Sequence, residues 1–138
     1  MKIHVDVVSA EGEIYSGSAN MVFAPGEMGE IGIMPQHAPL LTRLKPGDLR
    51  VQVEGEKEQD IFVSGGLLEV QPHLITVLAD TAERAEDIDM AKAEKAKQQA
   101  EQAVAEAGDE ISLEQAQAEL TEAEVRLDLV RRLRSTAS

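Results

Sequence analysis

The side chains able to do chemistry in this chain are few and scattered. Its three histidines, His4, His37 and His73, are widely separated and show none of the short spacings that gather metal ligands. The absence of cysteine removes thiolate catalysis, thiolate zinc sites and disulfides together. Ser64-Gly65-Gly66 is a glycine-rich run, but it reads as a bulge or tight strand turn rather than a phosphate cradle. No phosphate loop, dinucleotide fingerprint or nucleophile elbow is present. Carboxylates are abundant, yet no pair stands out as an acid/base couple. His37 is set between Pro35 and Pro39, which fix the chain around it, and this suits a structural or interface role better than general-base catalysis. An enzyme using His37 with a nearby carboxylate is the weaker reading, so contact rather than catalysis is the expectation.

Composition narrows the kinds of contact. The formal net charge of -13 repels phosphate backbones and anionic lipid surfaces. Aromatic residues make up 2%, too few for stacking on bases, so nucleic acid is excluded as a partner. The hydrophobic fraction of 43% is that of a globular chain, and its core must be aliphatic. No apolar run approaches the roughly 20 residues that cross a bilayer, nor is there one of signal-peptide type after Met1 and Lys2. The expectation is a soluble, cytoplasmic protein that reaches a membrane only through other chains.

The elements that would position any contact fall into two segments. Over residues 1–84 short apolar runs alternate with turns. Ile3, Val5 and Val7 alternate with polar neighbours, and further runs lie at Ile14-Tyr15, Met21–Ala24, Ile31–Ile33, Leu49–Val53, Ile61–Val63, Leu67–Val70 and Leu74–Leu78. Pro25-Gly26, Pro46-Gly47-Asp48, Glu54-Gly55-Glu56-Lys57 and Gln71-Pro72-His73 punctuate them. This spacing predicts an antiparallel β-sandwich or barrel.

Over residues 85–138 Gly, Pro and aromatic residues nearly vanish and good helix formers take over. Ala93, Ala96, Ala100, Ala103 and Ala107 make one stripe, and Leu113, Ala116, Leu120, Ala123, Leu127 and Val130 a second. Gly108 stands at a C-terminal cap position and Ser112 with Gln115 matches a capping box. Asp87 or Asp89 caps the first helix. These features predict two antiparallel helices over residues 88–107 and 113–134. An alanine stripe offers about 0.8 kcal/mol per buried methyl, roughly a half to a third of what leucine offers, so the hairpin should open cheaply. Between Gln98 and Glu124 there are eight acidic residues and no basic one, whereas Arg126, Arg131, Arg132 and Arg134 crowd the end. Basic residues there suit the helix dipole and also make a handle for an acidic surface.

Four stretches carry a resemblance. Gly29-Glu-Ile-Gly-Ile-Met-Pro-Gln-His-Ala-Pro-Leu-Leu41 resembles the signature of ATP synthase epsilon subunits, and Asp6–Ser9, Val63–Val70 and Val77–Ala82 match in order. The resemblance covers the whole chain and implies a ten-stranded antiparallel sandwich followed by the helical hairpin. It implies a non-catalytic rotor subunit of a bacterial F-type ATP synthase, peripheral on the cytoplasmic face of the inner membrane. Its partners would be the gamma subunit, the c-ring and the catalytic alpha/beta hexamer. By position, Glu30 would face the c-ring, and Ser9 and His37 would lie against gamma. Arg126, Arg131, Arg132 and Arg134 would meet an acidic loop of the catalytic beta subunit when the hairpin opens to inhibit hydrolysis. Some members of that family bind ATP on the folded hairpin, which marks Glu83, Ile88, Asp89, Lys92, Ala93 and Arg126. Here Lys92 stands for the usual arginine and Gln99 for a basic residue, so weak ATP binding or none is expected, with no other cofactor. The alternative is a free-standing ATP sensor of the same fold.

Overall fold

The computed structural model describes residues 1–137 of the chain. These form two compact units that divide after Ala85.

The first unit holds ten strands: β1 (Ile3–Ser9), β2 (Gly12–Ala19), β3 (Met21–Gly26), β4 (Gly29–Ile33), β5 (Leu40–Leu44), β6 (Gly47–Gln52), β7 (Gln59–Val63), β8 (Gly66–Gln71), β9 (Leu74–Ala79) and β10 (Ala82–Arg84). Hydrogen bonding runs β10-β7-β6-β3-β5-β8-β9-β1-β2, with β4 paired to β3. The expected ten-stranded sandwich is therefore present, with one departure: β1 runs parallel to β9, while the other ladders are antiparallel. Alternation drives the packing. Ile3, Val5, Val7, Leu68, Ile75 and Val77 are at most 1% exposed and point into one shared aliphatic core. Burying each of the larger side chains contributes about 1.5–3 kcal/mol.

Two glycines allow a close approach of neighbouring chain segments within the sheet. A Cβ on Gly26 would meet the Gly29 carbonyl oxygen at 2.6 Å, and one on Gly47 would meet Pro25 Cβ at 2.5 Å. Pro25-Gly26 therefore belongs to β3 and pairs with Glu30 and Gly29, rather than closing the strand early. Ser64-Gly65-Gly66 is a strand connection, as expected, and Gly66 at φ 137° lies so close to the Leu78 carbonyl that no side chain fits.

A short 3-10 turn, Ala85–Asp87, spans the division, and the second unit continues with α1 (Met90–Glu106) and α2 (Glu110–Ala137). Asp89 is the N-cap of α1, its Oδ1 accepting from Lys92 N at 3.1 Å, while Asp87 is left in the turn. The capping-box reading at Ser112 needs correcting. Asp109 caps α2 three residues earlier, accepting from Ser112 N at 2.7 Å, because its carboxylate also takes the Ser112 hydroxyl. Gly108 is not among the left-handed glycines; α1 ends at Ala107, which turns extended at φ -62° and ψ 125°. The alanine stripe is also shifted. Ala93 and Ala100 are buried, but Ala103 is exposed and Val104 is half-buried in its stead, since the same spacing fits residues 93, 97, 100, 104 and 107. The stripe on α2 is at least half-buried at all six expected positions.

Candidate interaction surface

The outer face of β5, β8, β9 and β1 carries the largest departure from ordinary strand patterning. Leu67 pairs with Leu78, and Leu78 with Val8, which makes an apolar row across three strands. Leu41 lies diagonally beside Leu67, on β5. Leu41, Leu67 and Leu78 are 67%, 41% and 52% exposed, values that decide against their belonging to the core. The sequence did contain a sign of this face in its doublets Val7-Val8, Leu40-Leu41, Leu67-Leu68 and Val77-Leu78. In a strand each doublet must send one apolar side chain inward and the other outward.

Ser9 and His37 bracket this face. Ser9 follows Val8 at one end of β1 and its Oγ accepts from Glu11 N. His37 lies in the link before β5, at the other end, where Gln36 N donates to Pro72 O at 2.8 Å and so ties the link to the β8–β9 turn. The two are not brought together. Gln36 adopts φ 67°, a left-handed conformation unusual for a side-chain-bearing residue, and this fixes the turn that presents His37. His37 is half-buried, and its Nδ1 lies 2.7 Å from Ala38 O, so Nδ1 carries the proton and donates. A peptide carbonyl rather than a carboxylate orients the ring, which leaves it without the partner that general-base catalysis uses.

Beside the apolar row, β1 and β2 carry a polar cluster that sequence reading missed. His4 Nε2 is 2.8 Å from Asp6 Oδ1, and Ser16 Oγ donates to the same oxygen at 2.7 Å. The Ser16 hydroxyl and, after it, the His4 ring hold the Asp6 carboxyl below its ordinary pKa. Ser16 and Asp6 both meet His4 through Nε2, whereas a nucleophilic triad needs the two ring nitrogens divided between base and orienter. This is a solvated cross-strand network.

Glu30 stands on β4 beside the tip of the β3–β4 hairpin, where Met28 is 97% exposed. Its carboxylate is ion-paired with Arg50 of β6. Glu83 lies on β10, within the first unit.

In the second unit, the four arginines do not form one face. At about 100° per residue, Arg126, Arg134, Arg131 and Arg132 sit at roughly 0°, 80°, 140° and 240° around α2, a collar rather than a stripe. Arg131 Nη2 lies 3.8 Å from Glu94 Oε1, and Arg134 Nη2 donates to Ile88 O at 3.3 Å, so two of them tie the end of α2 to the start of α1. Arg126 borders a cleft of about 280 Å³ between the helices, lined by Ala96, Gln99, Ala100, Glu119, Glu122 and Ala123. Of the residues marked for ATP, Ile88 and Ala93 are buried, Lys92 is exposed, and Asp89 is committed to its cap. The Lys92 amide, and more weakly the charges of Lys92 and Arg134, hold the Asp89 carboxyl below its ordinary pKa.

No helix among the described residues is long and apolar enough to cross a membrane. Residues 2–85 match the family model described as ATP synthase, Delta/Epsilon chain, beta-sandwich domain, and residues 86–131 match that described as the long alpha-helix domain of the same chain. The chain is 58% identical over 134 residues to the ATP synthase epsilon chain of Nitrosococcus oceani, covering 97% of this chain and 96% of that one. It is 59% identical to the epsilon chain of Acidithiobacillus ferridurans, at 97% and 94% coverage. The fold is shared with a chain of the Euglena gracilis mitochondrial ATP synthase, with TM-score 0.73 and 23% identity over 99% of this chain and 82% of that one. It is also shared with a chain from the central stalk and c-ring of the Tetrahymena thermophila mitochondrial enzyme, with TM-score 0.66 and 14% identity over 94% and 97%. A matched sandwich model, a matched helical model and near-complete coverage by close relatives agree that the chain belongs to the ATP synthase delta/epsilon family.

Proposed function

We propose that the chain is a non-catalytic rotor subunit in the central stalk of an F-type ATP synthase, on the cytoplasmic face of the bacterial inner membrane. It couples proton flow through the c-ring to ATP synthesis, and its helices inhibit ATP hydrolysis. The observation that carries this reading is the apolar row of exposed Leu67 and Leu78 with half-buried Val8, and exposed Leu41 beside it, set between Ser9 and His37. An exposed apolar row flanked by polar groups is what a stable protein partner covers. The gamma subunit is the partner that the motif resemblance of Gly29–Leu41 to epsilon subunits implies, with Ser9 and His37 at the margins of its contact and Glu30 facing the c-ring.

The helical unit supplies the inhibitory part. Arg131 and Arg134 hold the hairpin closed through Glu94 and the Ile88 carbonyl, and the same guanidinium groups become available to the acidic beta-subunit loop once it opens. Arg126 and Arg132 join them in that contact. ATP is at most a weak ligand, since Glu119 and Glu122 line the cleft beside Arg126 and oppose a polyphosphate.

The test is to rebuild the complex with three forms of the chain and measure co-purification and hydrolysis. Leu78→Glu should be lost from the complex while remaining folded alone. Truncation after Ala85 should stay bound and raise hydrolysis several-fold. Full retention of Leu78→Glu refutes docking through this face, and unchanged hydrolysis in the truncated complex refutes inhibition.

A further inference from the structure

The setting of Glu30 contains more than a carboxylate on a turn. β6, β3 and β4 lie side by side, and the ladder registers align Arg50, Phe23 and Gly32 in one row, with Glu30 two pairs further along β4 and so on the same face. Two strand spacings separate β6 from β4, about 10 Å, which only a long side chain can bridge. Arg50 does so by lying across the Phe23 ring, its Cζ 4.3 Å from the ring centroid, and its Nη2 donates to Glu30 Oε1. Gly32 makes room for this arrangement. A Cβ there would stand 3.3 Å from Phe23 Cε1 and 3.1 Å from Met21 Cε, tight enough to push the ring that supports the guanidinium.

We infer that Arg50 is a positioning residue for docking through Glu30, holding Oε1 so that Oε2 is presented outward to a cation of the partner. The inference rests on the reading of Glu30 as the group that meets the ring. Glu30 is exposed beside the bare hairpin tip, where a glutamate otherwise samples many rotamers and loses them on binding. Stacking on Phe23 fixes the guanidinium, and the guanidinium fixes the carboxylate, so that ordering is complete before contact. Oε2 takes no hydrogen bond from the described residues, and an ionised carboxylate has acceptor capacity for two cations at once. The fitting partner group is a lysine or arginine side chain on a polar loop, reached by a carboxylate already fixed in place. Phe23 makes the guanidinium specific: a lysine at position 50 would keep the charge but lose the planar stacking and the fork.

The experiment titrates the full chain onto membranes that carry the rotor but have been stripped of this chain. The variants are Glu30→Gln, Arg50→Met, Arg50→Lys and the double variant Glu30→Gln/Arg50→Met. Arg50→Met should weaken binding by about fivefold, close to the effect of Glu30→Gln. The double variant should be no weaker than either single one, and Arg50→Lys should recover part of the loss. A merely structural role for Arg50 would lower thermal stability and add its loss to that of Glu30→Gln; additivity therefore overturns the inference. Binding unchanged or tightened by Arg50→Met, with Glu30→Gln still weak, also overturns it while leaving the ring contact of Glu30 intact. If Glu30→Gln itself binds as the parent chain does, the ring contact fails and the inference fails with it.

Discussion

The sandwich and the hairpin both pack apolar stripes, but from different side chains, and that difference separates a tightly packed unit from a more weakly packed one. The sandwich is closed by Val, Ile and Leu at or near zero exposure, tied by long-range ladders, and pinned at its margin by Arg84, whose Nε donates to Ile14 O at 3.1 Å. The hairpin meets along Ala93, Ala100, Ala116 and Ala123, each offering one methyl. Larger buried groups come from Ile88 just before α1 and from Leu127, Leu129 and Val130 towards the end of α2. At about 0.8 kcal/mol per methyl against about 1.5–3 for a buried Leu, Ile or Val, the alanine positions of the seam hold about two- to fourfold less per side chain. Its opening free energy belongs at the low end of the range spanned by local unfolding.

The largest effect that would sharpen this contrast is expected in the sandwich. Leu68 is fully buried on β8 between Thr42 and Val77 of its neighbours, so Leu68→Ala should cost about 2–5 kcal/mol in urea unfolding of the first unit. The helical signal at low denaturant should stay put, and its collapse in the same step would show that the two units do not unfold separately. A smaller effect belongs to the seam. Val104→Ala removes two half-buried methyls from α1, worth about 1 kcal/mol, and should speed hydrogen exchange of α1 amides without touching the strands. A stability loss as large as that of Leu68→Ala would contradict the weak-seam account.

Sequence reading recovers the sandwich where alternation is strict and misses it where it is not. β5 and β10 were not foreseen. Leu40-Leu41 breaks the alternation of β5 with a second apolar residue, and β10 is only three residues long, too short to show a period. The parallel pairing of β1 with β9 is a tertiary fact with no local signature. Hairpin existence and strand-turn-strand order were legible, whereas caps slipped: Ser112 looked like the better cap, yet Asp109 precedes it and offers a charged acceptor to the first free amides. For the candidate contacts, Glu30 could be found by motif, but its partner could not. Arg50 is 20 residues away in sequence, and only the β3–β4 and β3–β6 registers bring the two together. The arginines of α2 read as one basic handle because sequence proximity hides their angular spread.

The smallest predicted effect concerns the caps, and it must be separated from an opposing one. Asp89 and Asp109 have carboxyl pKa values lowered from 3.8, chiefly by the amides of Lys92 and Ser112 respectively. A group whose folded-state pKa is depressed contributes stability that is complete above the unfolded value and lost as pH falls through the folded one. The caps therefore weaken the hairpin only below about pH 4. The acidic stretch between Gln98 and Glu124 opposes closure of the hairpin through like-charge repulsion, independently of the caps. The two can be told apart with Asp89→Asn/Asp109→Asn, because asparagine caps a helix about as well as aspartate but does not titrate. Hairpin stability of the parent chain should exceed that of the variant at pH 7, and the gap should close as pH drops through the lowered carboxyl values. A gap that stays constant down to pH 2 would mean that the cap carboxylates gain nothing from their charge. The caps would then act through their hydrogen bonds to Lys92 N and Ser112 N rather than through charge.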